Sequence, residues 1–264
     1  MKEAIERRVF GAIEFVDDLT EARVLDPLQV DAPDGVGLQR NRLGLYVVRS
    51  VPGHDAYTHA FDDAPARPAR QDFALQVRDP RQHYLSCAFS LALPRWLPTP
   101  QVPVDTADSA LQPLPLRLYP AAARPLRASW AVLRIAVQVE GSNPALGLAN
   151  VLVEAAPQVA GLPVQHTLTD RRGEALLAVR NAPAIVPDAG PPGLTREFGV
   201  ALQFVLDEAV VRTSNEPGIP VPDPATVLAR RDANHAQVRV VVTAEPQRLS
   251  AGASRRHVEK VSWP

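Results

Sequence analysis

The 264-residue sequence predicts an all-β protein made of two tandem β-sandwiches joined by a proline-rich linker. Three observations predict it. Proline occurs 27 times along the whole chain, about twice the usual ~5% share, and leaves no room for long helices. Short segments such as "DFALQV" and "CAFSLAL" alternate apolar and polar residues at a period of two, the mark of strands with one buried face. Finally, one pattern of strand, charged turn, glycine and strand occurs twice, as "VGLQRNRLGLYVV" at 36–48 and "HTLTDRRGEALLAV" at 166–179.

Val9 to Val16 is an apolar strand, "DDLTEAR" a polar turn and "VLDPLQVDA" a second extended segment. Arg40-Asn41-Arg42-Leu43-Gly44 carries turn chemistry between two further strands. After an irregular stretch from Pro52 to Arg70, two alternating strands place Phe73, Leu75 and Val77, then Phe89, Leu91 and Leu93, on one face. Residues 94–126 hold eight prolines and no helical period, which predicts a linker or extended edge segment.

The pattern then restarts with "AVLRIAVQVE", "LANVLVEAAP", "HTLTDRRGEALLAV", "FGVALQFVLDEAVVR" and "AQVRVVVTAE". Side by side, Gly11–Val16 corresponds to Leu133–Val139, Leu28–Asp31 to Val151–Glu154, and Gly37–Val48 to Thr167–Val179. Phe73–Val77 corresponds to Phe198–Leu202, and Phe89–Leu93 to Val238–Val242. Unequal loops do not disturb the match, because closure cost rises only with the logarithm of loop length. The predicted organisation is a first sandwich at 1–94, a linker at 95–128, a second sandwich at 129–247 with an insertion at 208–236, and a polar tail at 248–264. Two places invite short helices. They are Lys2 to Arg8, and "ATVLARR" behind the N-cap and proline pair Asp223-Pro224.

Composition narrows the function classes. A formal net charge of −1, with no basic block longer than a pair, argues against nucleic acid as a partner. Lysine occurs only at Lys2 and Lys260, so the abundance of arginine reads as a codon bias. Cys87 is the only cysteine and sits among apolar residues, which predicts burial and leaves no disulfide or cysteine-zinc cluster to build. The first residues lack an apolar secretion segment, and no apolar run approaches the ~18 residues of a membrane span. The expectation is a cytoplasmic chain with no membrane partner.

Chemistry-bearing clusters are sparse. His54, Asp55, His59, Asp62 and Asp63 crowd one loop with imidazole and carboxylate groups that suit a transition metal, but at a spacing that matches no standard site. A solvated loop is the expectation there. There is no G-x-S-x-G elbow and no H-E-x-x-H pair, and the prolines of "GPPGL" at 190–194 remove amides that a phosphate cradle needs. In "TDRRG", Asp170 can bond its own backbone and Gly173 can take positive φ, so this segment predicts a tight turn. The expectation is a protein that is not an enzyme, with no catalytic, cofactor or metal residues assigned.

The run "LANVLV" followed by "TLTDRRGEALLAV" resembles the carboxypeptidase regulatory-like, or transthyretin-like, β-sandwich family. The resemblance covers 131–243, and 9–94 more loosely because "LQRNRLG" lacks the Thr-Asp pair. It implies Ig-like or prealbumin-like sandwiches used as structural and interaction modules. Two enzyme branches of that fold fit poorly. The terminal "RRHVEKVSWP" lacks the Tyr-Arg-Gly-Ser signature of hydroxyisourate hydrolases, and Tyr46, Tyr57, Tyr84 and Tyr119 do not offer the iron ligands of intradiol dioxygenases.

The layout as a whole is similar to accessory proteins of extracellular contractile injection systems, the phage-tail-like particles. That resemblance implies a cap or collar part contacting tail tube, sheath or cap proteins and forming a homo-oligomer. Two alternatives remain open. One is a ligand- or carbohydrate-binding module using the Pro52–Arg70 loop or the 208–236 insertion with Trp96, Trp130 or Trp263; the other is a metal-dependent enzyme using the His54–Asp63 loop.

Overall fold

In the first of the chain's two compact units, every second residue of the opening strand is buried, the two-residue period of a strand with one face on a core. The computed structural model describes residues 9–54, 69–95, 109–182 and 197–264. Its regular secondary structure is nearly all strand, with one short helix among the described residues. One unit comprises Met1–Asp17, Glu21–Arg78 and Ala88–Leu118; the other comprises Asp18–Thr20, Asp79–Cys87 and Tyr119–Pro264.

The first unit is built from β1 (Gly11–Asp17), β2 (Gln29–Asp31), β3 (Gly37–Arg40), β4 (Tyr46–Ser50), β5 (Gln71–Arg78), β6 (Cys87–Leu93) and β7 (Leu114–Leu118). One sheet has the order β3-β4-β1-β7 and the other β2-β5-β6. Phe15 of β1 meets Phe89 of β6 with ring centroids 6.3 Å apart and Tyr46 of β4 edge-on at 5.2 Å. The Tyr46 hydroxyl donates to Leu28 O and accepts from Leu28 N, both at 2.9 Å, so its burial leaves no polar atom unpaired. Each large apolar side chain removed from water here contributes roughly 1.5–3 kcal/mol.

The second unit contains β8 (Ala131–Val139), β9 (Leu148–Ala149), β10 (Leu152–Pro157), β11 (Gln165–Leu168), β12 (Glu174–Val179), β13 (Glu197–Asp207), β14 (Arg212–Thr213), α1 (Pro224–Asp232), β15 (Val238–Val242), β16 (Gln247–Ser250) and β17 (Ser254–Val261). Its sheets run β12-β8-β17 and β11-β10-β13-β15, with β16 also beside β13. Leu133 and Ile135 of β8, Leu177 of β12, Val153 of β10 and Phe204 of β13 share one buried core between the two sheets.

The predicted strand correspondence holds in the pairing pattern. β4 pairs antiparallel with β1 and β7 parallel with it; likewise β12 pairs antiparallel with β8 and β17 parallel with it. In the other sheets, β2-β5-β6 has its counterpart in β10-β13-β15. One strand differs. β3 stays with its hairpin neighbour β4, whereas β11 pairs with β10.

Two expected boundaries are corrected. Residues 95–128 were expected to be a linker, but Leu114–Leu118 is β7, the last strand of the first sandwich, in register with Ile13–Asp17. Its Pro115 is tolerated because β7 is an edge strand, where a missing N–H leaves no ladder bond unmade. Residues 248–264 were expected to be a polar tail, yet they complete β16 and form β17, which runs beside β8 from Val132 to Val139. The charged residues that suggested a tail alternate with His257, Glu259 and Val261, which turn inward. The insertion carries β14 and α1, and α1 starts as its sequence dictates: Asp223 Oδ1 accepts from Ala225 N at 3.0 Å, with Pro224 in the first turn. Lys2–Arg8 lies outside the described residues. Among the described residues no helix is long and apolar enough to cross a membrane.

Candidate functional site

The His54–Asp63 stretch was expected to be a solvated loop, but its first histidine, His54, is a core residue. His54 is 4% exposed, its ring stands edge-on to Phe10 at 5.9 Å, and Nδ1 lies 2.7 Å from Pro52 O. Asp55, His59, Asp62 and Asp63 lie outside the described residues, as do the "GPPGL" segment and Trp96. Among the described residues no group of three or more His, Cys, Asp or Glu side chains comes close enough to hold a metal ion. Trp130 packs against Val132 and Leu176 with Arg127 over its ring, and Trp263 packs on the core of the second unit. Both rings are therefore spent largely on packing rather than on a stacking platform.

"TDRRG" forms the predicted turn, and its bonds explain each residue. Asp170 Oδ1 accepts from Arg172 N at 2.8 Å and Glu174 N at 3.0 Å, while Asp170 O accepts from Gly173 N at 2.9 Å. Gly173 has φ +78°, and a Cβ there would stand 2.6 Å from Val137 O. Thr169, read from sequence only as a strand end, is a buried joint: its hydroxyl donates to Leu148 O at 2.6 Å and accepts from Val151 N at 2.9 Å. The first-unit double makes the same turn. Asn41 Oδ1 accepts from Leu43 N and Leu45 N, both at 2.9 Å, and Gly44 has φ +81°.

Sequence reasoning missed the charge network that fastens α1 to its sheet. Glu154 of β10 faces His166 of β11 directly across the ladder, with His166 Nε2 3.3 Å from Glu154 Oε2, and Arg231 from the last turn of α1 bonds the same carboxylate oxygen. The adjoining Arg230 places Nε 3.2 Å from Oδ2 of Asp207, a carboxylate only 1% exposed. A histidine beside a carboxylate is acid–base material, but here the carboxylate is already held by a guanidinium. The chemistry available is attachment. Two basic residues in the last turn of a capped helix were the available signal, since that end carries the negative pole.

A shallow cleft of about 260 Å³ opens beside Arg134, Ala136, Glu174 and Arg256. It falls short of the roughly 300–1,000 Å³ pockets that enclose a small molecule. Arg134 and Arg256 are neighbours in the β8–β17 register, and Arg134 Nη1 donates to Ala122 O at 2.6 Å. Cys87, fully buried, has its thiol pushed up to about 12 by loss of solvent, with Asp223 adding to the effect and a backbone bond at Tyr119 opposing it. Such a thiol does not act as a nucleophile near neutral pH.

Among the described residues, two sheet edges also present unpaired backbone. Thr243 N donates to Leu202 O and Glu208 N to Gln237 O, which fixes the parity of β15: Arg239 and Val241 turn their amides to β13, and Val240 and Val242 turn theirs away from it. On β17, Val132 N donates to Ala253 O and Glu140 N to Val261 O, so Ser254, Arg256, Val258 and Lys260 point their peptide groups away from β8. Among the described residues no strand pairs with the outer side of β15 or β17. Unpaired ladders of this kind can accept a further strand. In comparisons with known proteins the chain matches no family model, no curated protein and no solved structure.

Proposed function

We propose that this chain is a non-enzymatic structural or adaptor subunit of a multiprotein assembly. The observation that supports the reading best is the outer edges of β15 and β17, two of the four terminal strands of the second unit's two main sheets, beside which no strand pairs among the described residues. A strand edge left unpaired in a finished fold is a standing invitation to another chain, and folded proteins commonly cover or blunt it. β17 offers eight residues of edge, with exposed Arg256, Val258 and Lys260. Strand addition supplies backbone bonds for affinity and alternate side chains for specificity.

The assembly we name is a phage-tail-like contractile injection particle, at its cap or collar end, with tail tube, sheath or cap proteins as neighbours. Support for the particle is the layout of two sandwiches in one chain; support for the adaptor role is the edges. Negative-stain images of particles prepared without this protein test both together. A missing or disordered tail end is the expected result, and particles with intact ends and full activity would exclude the role.

A further inference from the structure

We infer that β15 pairs with β15 of a second copy of this chain, antiparallel about a two-fold axis through Val240. The inference rests on the structural role above and names one partner for one of the two edges. β15 reads Val238-Arg239-Val240-Val241-Val242, and Val240 and Val242 are 38% and 64% exposed. Their peptide groups also face outward, so exposed valines and an open backbone coincide on the same strand.

Edge strands of soluble proteins are usually guarded by a lysine, an inward charge, a proline or a bulge. β15 has none of these at its open positions. Its one charged residue, Arg239, is tied back through a hydrogen bond to Ser262 O. The flanking Pro246 falls after the strand, where β16 takes up the pairing with β13.

The second copy is the occupant because the strand is complementary to itself. With Val240 on the axis, Val240 faces its own copy, Val238 faces Val242, and Arg239 faces Val241. No like charges meet. Val238 N already donates to His235 O, so the junction gains about four backbone hydrogen bonds, a reciprocal pair at Val240 and one from each Val242 amide. The three valines of each strand that share one face form a single β-branched stripe across the axis, a favourable cross-strand combination. A partner strand carrying acids would find no cation on that stripe.

The test uses the full-length chain in light scattering coupled to size exclusion over a dilution series. A dimer is expected. Val242→Lys, at the more exposed position, and Val240→Lys, which sets two ammonium groups opposite each other on the axis, should each raise the dissociation constant at least about tenfold and leave the unfolding midpoint unchanged at concentrations low enough for every variant to be monomeric. Val240→Cys should form an interchain disulfide under mild oxidation, because partners in a hydrogen-bonded antiparallel pair stand about 5.5 Å apart, within disulfide reach. Val258→Cys, on β17, should not, and buried Cys87 does not compete. A monomer at every concentration, or a dimer that both lysine variants leave intact, overturns the inference. A monomeric chain that particles still need for intact ends would sink self-pairing alone; a β15 dimer dispensable to particles would sink the structural role alone.

Discussion

Asp170 and Asn41 occupy equivalent turn positions and accept the same two backbone amides, which makes the carboxylate's charge secondary to its shape. Asp170→Ala is expected to cost about 1–2 kcal/mol in urea unfolding, because two amides lose their acceptor. Asp170→Asn is expected to recover most of that loss, with the Asp170–Arg172 contact at an arginine 67% exposed contributing little. The glycines of the two turns separate in the same assay. Gly44→Ala is tight only against the flexible end of Leu25 at 3.2 Å, with Val24 O at an ordinary 3.6 Å, and should cost about 1–2 kcal/mol for its positive φ. Gly173→Ala meets backbone at Val137 and Gly147 and should cost clearly more.

Turn chemistry of this kind was legible in the sequence because it is local. Cys87 was legible as buried, but the consequence for pH needed its surroundings. Its native thiol stays neutral to about 12, while in the unfolded chain it ionises near its ordinary 9.0. The unfolded state therefore releases the proton first; this contribution is full below 9 and is lost as pH climbs from 9 towards 12, by up to about 1.4 kcal/mol per pH unit. Urea midpoints of the wild type should fall more steeply across that range than those of Cys87→Ala.

Among the elements, β5 and β6 were readable from alternation, β1 from its apolar run and α1 from its cap, since each signal lies within the segment itself. β7 and β17 were not. Proline in one and charge in the other suppressed the strand signal, and both are edge strands, where a missing amide or a solvated side chain costs little. Their identity comes from what they lie beside, which is β1 and β8. This yields a sharp expectation for the C-terminus. A free tail could be cut away without effect, but removal of residues 254–264 takes out every partner of β8 on one side and the core residue Val261. The truncated chain is expected to lose cooperative thermal unfolding of the second unit, seen as a broadened or missing calorimetric transition. An unchanged transition would mean that β17 is an accessory strand.

At the scale of the whole molecule, the same pairing scheme appears in both units: an antiparallel neighbour and a parallel last strand on either side of the first strand. The repeat was visible in sequence as one doubled turn and a matching order of strands around it, since those strands share a period and not residues. Such a repeat bears on whether one sandwich can fold without the other. All strands of the second sandwich, β8 to β17, fall within residues 131–261, and their core is continuous. Residues 18–20 and 79–87 also cluster with that unit, where Leu85 N donates to Tyr119 O and Ala121 N to His83 O, but they add no strand to its sheets. A fragment spanning 119–264 is therefore expected to fold by itself, with a single cooperative urea transition and dispersed amide resonances, at a midpoint somewhat below that of the same unit in the full chain. If the fragment instead binds a dye for exposed apolar surface and melts without cooperativity, the short segments are part of its nucleus. The scheme of two self-sufficient sandwiches would then give way to one interdependent fold.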